Sequence, residues 1–250
     1  MAFYKSKNPA LSNEIFINAA KENITSESMT IEGTVNKTAI LGLIVFISAF
    51  FTWNLYTVNQ DFMIIKPYVL GGSILGFIVA VIIIYKKHTV TYLAPVYCIL
   101  QGLSLGGISA YMESIFPGIV VQALGLTFGI LFSLLLIYKL GLIKATENFK
   151  LIIASATAGI AVFYLISMIG RFFGLEMSFL HESSGIGIGF SVFVVIIASL
   201  NLVMDFDFIE NGAESNAPKY MEWYGAFGLM VTLIWLYLEI LRLLSKLRSK

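Results

Sequence analysis

The sequence predicts an all-α fold: a polytopic membrane protein built as a bundle of seven transmembrane helices. Three observations carry this. Of 250 residues, 58% are hydrophobic and only 12% are charged, about half the charged share of a soluble domain, and the mean hydropathy is +0.86. So few charges cannot clothe a globular surface in water, whereas a bilayer solvates apolar surface directly. The apolar residues also fall into seven separate runs near 38–58, 67–85, 91–112, 118–139, 150–172, 185–204 and 222–244, each close to the length that crosses hydrocarbon. Finally, the runs lack the period-2 alternation of a membrane barrel, and an open sheet would leave backbone groups unpaired in lipid.

The chain opens with a polar stretch, 1–37, expected as a cytosolic tail. Its lysines (Lys5, Lys7, Lys21, Lys37) alternate with Glu14, Glu22, Glu27 and Glu32, and Asn8-Pro9 breaks any early helix. The sequons at Asn23 and Asn36 read as chance matches in an Asn-rich segment. The first apolar run starts too late and runs too long for a cleaved signal peptide, so 38–250 is expected to form one membrane domain. The connections between runs are short and polar. Net charge is +1, which leaves no footprint for nucleic acid. One cysteine, Cys98, excludes an intrachain disulfide and reads as buried filler.

Lysine placement sets the expected orientation. The tail, Lys86-Lys87, the trio Lys139, Lys144 and Lys150, and Lys219 all fall on one side if every run crosses, against Lys66 and Arg171 on the other. The positive-inside rule then places the N-terminus in the cytosol. Arg242, Lys246, Arg248 and Lys250 run against this, since seven crossings put them on the far side. Seven full spans tolerate these late charges; the alternative makes one run re-entrant. Gly71-Gly72, Gly102, Gly106-Gly107, Gly185, Gly187 and Gly189 are expected where helices approach closely.

Ionisable residues at membrane depth are costly and mark function. Asp205 and Asp207 lie about 200° apart on a helix. Behind Asp205 runs a small, polar stripe (Asn201, Ala198, Val194, Ser191, Gly187), and behind Asp207 an apolar one (Val203, Leu200, Ile196, Phe193). Asp205 is therefore expected inside the bundle and Asp207 at the interface. On the last run Glu239 backs onto Trp235, Thr232, Gly228 and Gly225; Arg242, three residues on, offers it a simple ion pair. Two carboxylates facing one another in low dielectric share a proton, and calcium, which favours oxygen ligands, can replace it. Asp205 and Glu239 with Asn201 or Thr232 would make a weak, open calcium site, suited to passage or sensing. His88, His181, Glu113, Glu176 and Glu182 read as solvated loop residues, and Trp53, Trp223 and Tyr220 as interfacial anchors.

The segments Tyr97–Gly106, Met204–Gly212 and Leu236–Leu244 resemble the Bax inhibitor-1 family, and Asn8-Pro9 with Met29–Thr38 resembles a bacterial subgroup of it. The resemblance implies a seven-helix fold with the last helix central. It also implies a calcium leak gated by a pH-sensing pair of aspartates on the sixth and seventh helices, in a bacterial inner membrane. Asp205, with Ile209 and Gly212 after it, matches the first aspartate. The second falls on Thr232 or on Glu239, depending on which flanking residues are aligned. A second reading is a regulatory protein that binds other membrane proteins, such as proteases, through its tail. Protease, hydrolase and retinal-receptor patterns are absent, so no enzyme activity and no cofactor beyond transient calcium are expected; the partners are lipid, calcium ions or protons.

Overall fold

The computed structural model describes residues 28–173 and 184–249, apart from the side chains of 171 and 172. His181, Glu176, Glu182 and the Asn23 sequon lie outside the described residues. Among the described residues there are seven long helices: α1 (Ile31–Asn59), α2 (Phe62–Tyr85), α3 (Val90–Ile115), α4 (Ile119–Lys139), α5 (Glu147–Phe172), α6 (Gly185–Glu214) and α7 (Met221–Arg248). All seven are long and apolar enough to cross a membrane, as the sequence predicts. The outward faces of α1, α2, α4 and α5 carry exposed Phe50, Phe77, Val121 and Leu151, side chains that only lipid covers without penalty. In contrast most residues of α7 are buried.

Several boundaries differ from the expected ones, each for a local reason. α1 begins at Ile31 rather than Thr38 because Thr30 caps it, its hydroxyl accepting from Gly33 N at 2.9 Å. α2 begins at Phe62, capped by Asp61 accepting from Met63 N at 2.8 Å. α6 does not stop near residue 204 but runs to Glu214, which keeps Asp205 and Asp207 in regular helix. The turn into α4 uses Gly118 at φ 80°, a left-handed conformation that a side chain would strain.

The chain forms two compact units. The first comprises the residues up to Ile115 with Asp207–Val231. Here α3 packs on α1 through Gly102, where an added Cβ would stand 2.6 Å from Val45 O, and through Gly106, where it would run into Ala49 O. Gly107 meets Val69 of α2 and Gly72 meets Leu100 O of α3 in the same way. Gly71, Gly185 and Gly189 face open space, so the expected close approaches hold for part of the glycine set. Hydrogen bonds accompany the contacts: Thr52 Oγ1 donates to Leu103 O at 2.9 Å, Ser104 Oγ to Val69 O at 3.1 Å, and Tyr56 meets Ser114 at 3.0 Å.

At one end of this unit the start of α1, the α2–α3 connection and the α6–α7 connection meet. Met29 N donates to Ala217 O at 2.7 Å and Ser28 bridges Pro218. His88 lies against Tyr220 with ring centroids 4.6 Å apart, and Lys87 sits over Tyr224. The second unit comprises Phe116–Phe206 with Thr232–Lys250. In it Arg248 donates to Pro117 O at 2.7 Å and to Gln122 Oε1 at 2.8 Å, and Lys246 to Gly187 O at 3.0 Å. The end of α7 therefore lies with the start of α4 and the start of α6, as seven full crossings require. Lys246 and Arg248, the charges that run against the positive-inside count, are bound to protein oxygens.

Candidate functional site: a polar face on the last two helices

The second unit holds Asn201, Asp205, Thr232 and Glu239, while Asp207 falls in the first. On α6 the stripe behind Asp205 is inward: Gly187, Ser191, Val194 and Ala198 are buried, while Phe193 and Ile196 on the other stripe are exposed. Val203 departs from that division, being fully buried. Asp207 is half-buried, and its backbone carbonyl accepts from Asn211 Nδ2 at 2.6 Å.

Asp205 carries the site's most unusual feature. Its Oδ2 is buried and, among the described residues, has no hydrogen-bond partner. A buried carboxylate oxygen without a donor is rare, because desolvation is then uncompensated. The neighbouring polar side chain is Thr232 of α7. Of the two positions that align with the second aspartate, it is thus Thr232 that faces Asp205, and a hydroxyl stands where a second carboxylate is expected. One turn back on α6, Asn201 Nδ2 donates to Thr157 Oγ1 of α5 and to Ile197 O, both at 2.8 Å.

Glu239 does not join Asp205. It lies seven residues beyond Thr232, about 10 Å along the helix axis, and is 2% exposed. Its carboxylate accepts from Arg242 Nη1 at 2.8 and 2.9 Å, from Tyr164 Oη of α5 at 3.0 and 3.2 Å, and from Trp235 Nε1 at 3.3 Å. The ion pair with Arg242 is the simpler outcome that the i, i+3 spacing allows. Among the described residues no three His, Cys, Asp or Glu side chains converge to hold a metal ion; Glu239 is engaged by Arg242, Tyr164 and Trp235, whereas Asp205 lies beside Thr232. Another seven residues on, buried Lys246 donates to Ser191 Oγ at 2.8 Å. Thr232, Glu239 and Lys246 therefore form one polar face along α7 at heptad spacing.

Sequence reasoning missed Tyr164, although it stands seven residues after Thr157 and so shares its face of α5. It also missed Glu222, in the first unit. Glu222 opens α7, is fully buried, and accepts from Thr30 N and Thr30 Oγ1 at 2.9 Å each and from Lys37 Nζ, with Lys219 Nζ at 3.4 Å. Gly33 packs on this carboxylate with no room for a Cβ. The Thr30–Gly33–Lys37 spacing is a visible signal, but its target lies 185 residues on from Lys37, beyond any local pattern.

A sequence model of the Bax inhibitor 1 like family matches residues 8–249. The chain belongs to the Bax inhibitor 1 like family. No curated protein and no solved structure matches it.

Proposed function

We propose that this Bax inhibitor 1 like protein is a pH-sensitive cation leak, with calcium its principal ion, and not an enzyme. The observation that carries the reading is the orphaned Asp205 oxygen, buried between α6 and α7 beside Thr232. Such an oxygen is a place for a proton or a cation, and exchange of one for the other couples pH to flux. With Thr232 opposite, one carboxyl titrates in place of a coupled pair, and a divalent ion meets too few fixed oxygens to be held tightly. Weak holding suits passage. The lysines gathered at the N-terminal end of α1 and in the α2–α3 and α6–α7 connections support a cytosolic N-terminus; a bacterial inner membrane as the site of action is part of the same proposal and rests on the resemblance of Met29–Thr38. Calcium flux into liposomes, compared between wild type and Asp205→Asn at pH 6 and pH 8, tests the proposal: loss of the pH response in the variant supports it.

One observation favours a second reading, a regulator of other membrane proteins. The Thr30–Lys37–Glu222 clamp ties the segment next to the polar tail to the start of α7, so a partner pulling on the tail acts directly on that helix. Copurification of a membrane protein that is lost on deleting residues 1–27, without any flux, selects this reading.

A further inference from the structure

We propose that the Glu239 carboxylate is a second cation site, closed by Arg242 acting as a tethered competitor. The geometry is that of a site already filled. Glu239 is 2% exposed, yet the guanidinium that neutralises it reaches in from the rim, with the Arg242 side chain 45% exposed. A single nitrogen, Nη1, makes every contact: 2.8 and 2.9 Å to the two carboxylate oxygens and 2.7 Å to Tyr164 Oη. That nitrogen sits where three oxygens converge, the position a small hard cation takes. The rest of the guanidinium leans on the Tyr164 ring, 5.2 Å from its centroid. Its hold is thus one-handed rather than the two-nitrogen fork that fixes arginine firmly to a carboxylate. Swinging outward, Arg242 leaves a buried carboxylate with a phenol oxygen beside it, a charge that an incoming cation would neutralise.

The proposal rests on the cation-leak reading for the route of its ion. Glu239 shares the face of α7 that holds Thr232, about 10 Å away. On that reading an ion leaving Asp205 along this face would meet Glu239, and Arg242 would set whether it is received. The site prefers hard cations over soft ones, since all its donors are oxygens.

Terbium binding tests this without any flux. Trp235 Nε1 lies 3.3 Å from the carboxylate, so a terbium ion held there takes up tryptophan excitation and emits. Purified full-length Arg242→Gln is expected to show sensitised emission at a terbium concentration at least ten-fold below that of wild type. The gain should vanish in Arg242→Gln/Glu239→Gln and in Arg242→Gln/Trp235→Phe. Equal titrations for Arg242→Gln and wild type, or the ten-fold gain surviving in the Glu239 double variant, would overturn the proposal. Should Arg242→Gln not fold, wild type answers at higher concentration: its emission must fall in Glu239→Gln, and an unchanged signal refutes the site. Tight terbium binding without calcium flux in liposomes leaves the site standing and removes the leak. Flux without tighter binding in Arg242→Gln does the reverse.

Discussion

Lys37→Met tests how the start of α1 is locked to the start of α7. Glu222 is fully buried and carries its charge among Thr30, Lys37 and Lys219. Removing one partner of a buried ion pair costs about 3–5 kcal/mol, because the remaining charge is left in low dielectric. Here the two Thr30 donors stay, and Lys219 stays at 3.4 Å with its own side chain 43% exposed. The expected loss is therefore near the lower limit, about 3 kcal/mol. Glu222→Met alone strands the Thr30 N–H and costs about 2 kcal/mol. The double variant removes both charges and is expected to lose about 2 kcal/mol, far less than the sum of the singles. The assay is SDS-induced unfolding of the purified protein in mixed micelles, followed by helical circular dichroism. A loss below about 1 kcal/mol for Lys37→Met, or strictly additive singles, would show that Glu222 is hydrated and would refute the clamp.

Three further outcomes follow from particular contacts. Gly106→Val drives a side chain into the Ala49 carbonyl of α1 and should lose about 3 kcal/mol or more in the same unfolding assay, whereas Gly42→Ala, which meets open space, should be tolerated. Thr232→Asp restores a carboxylate opposite Asp205, and the pH profile of calcium flux should then broaden into two steps; a single unchanged step would mean that the two positions do not face each other. In a Cys98→Ser background, Lys86→Cys and Ser249→Cys should react with an impermeant maleimide from opposite faces of the membrane, and labelling from one face would contradict seven crossings.

Much of the fold is legible in the sequence because the bilayer imposes one rule on every segment: cross as a helix, at a set length. The runs around Val45, Ile78 and Ile197 obey it, so their number and order can be read directly. Boundaries are less legible, since caps such as Thr30 and Asp61 extend helices past the apolar run into polar sequence. At the site, period alone finds the inner face of α6, because Gly187, Ser191, Val194 and Ala198 must be small or buried where helices meet. Period cannot say which residue of α7 meets Asp205. Thr232 and Glu239 share a face, and only the register of α6 against α7 separates them: Asp205 beside Thr232 and Ser191 beside Lys246 leave Glu239 midway, with Tyr164 and Arg242. Glu222 was not legible as a site: Lys219 is three residues away, but Thr30 and Lys37 are remote in sequence, and all three are ordinary in type.

The central claim is that Asp205 couples protons to cation passage. Calcium flux into liposomes of purified protein at pH 6 and pH 8, for wild type, Asp205→Asn and Asp207→Asn, tests it most directly. Flux above empty liposomes should differ between the two pH values in wild type and in Asp207→Asn, and should lose this difference in Asp205→Asn. Equal behaviour of the two variants, or no flux at either pH, would contradict it.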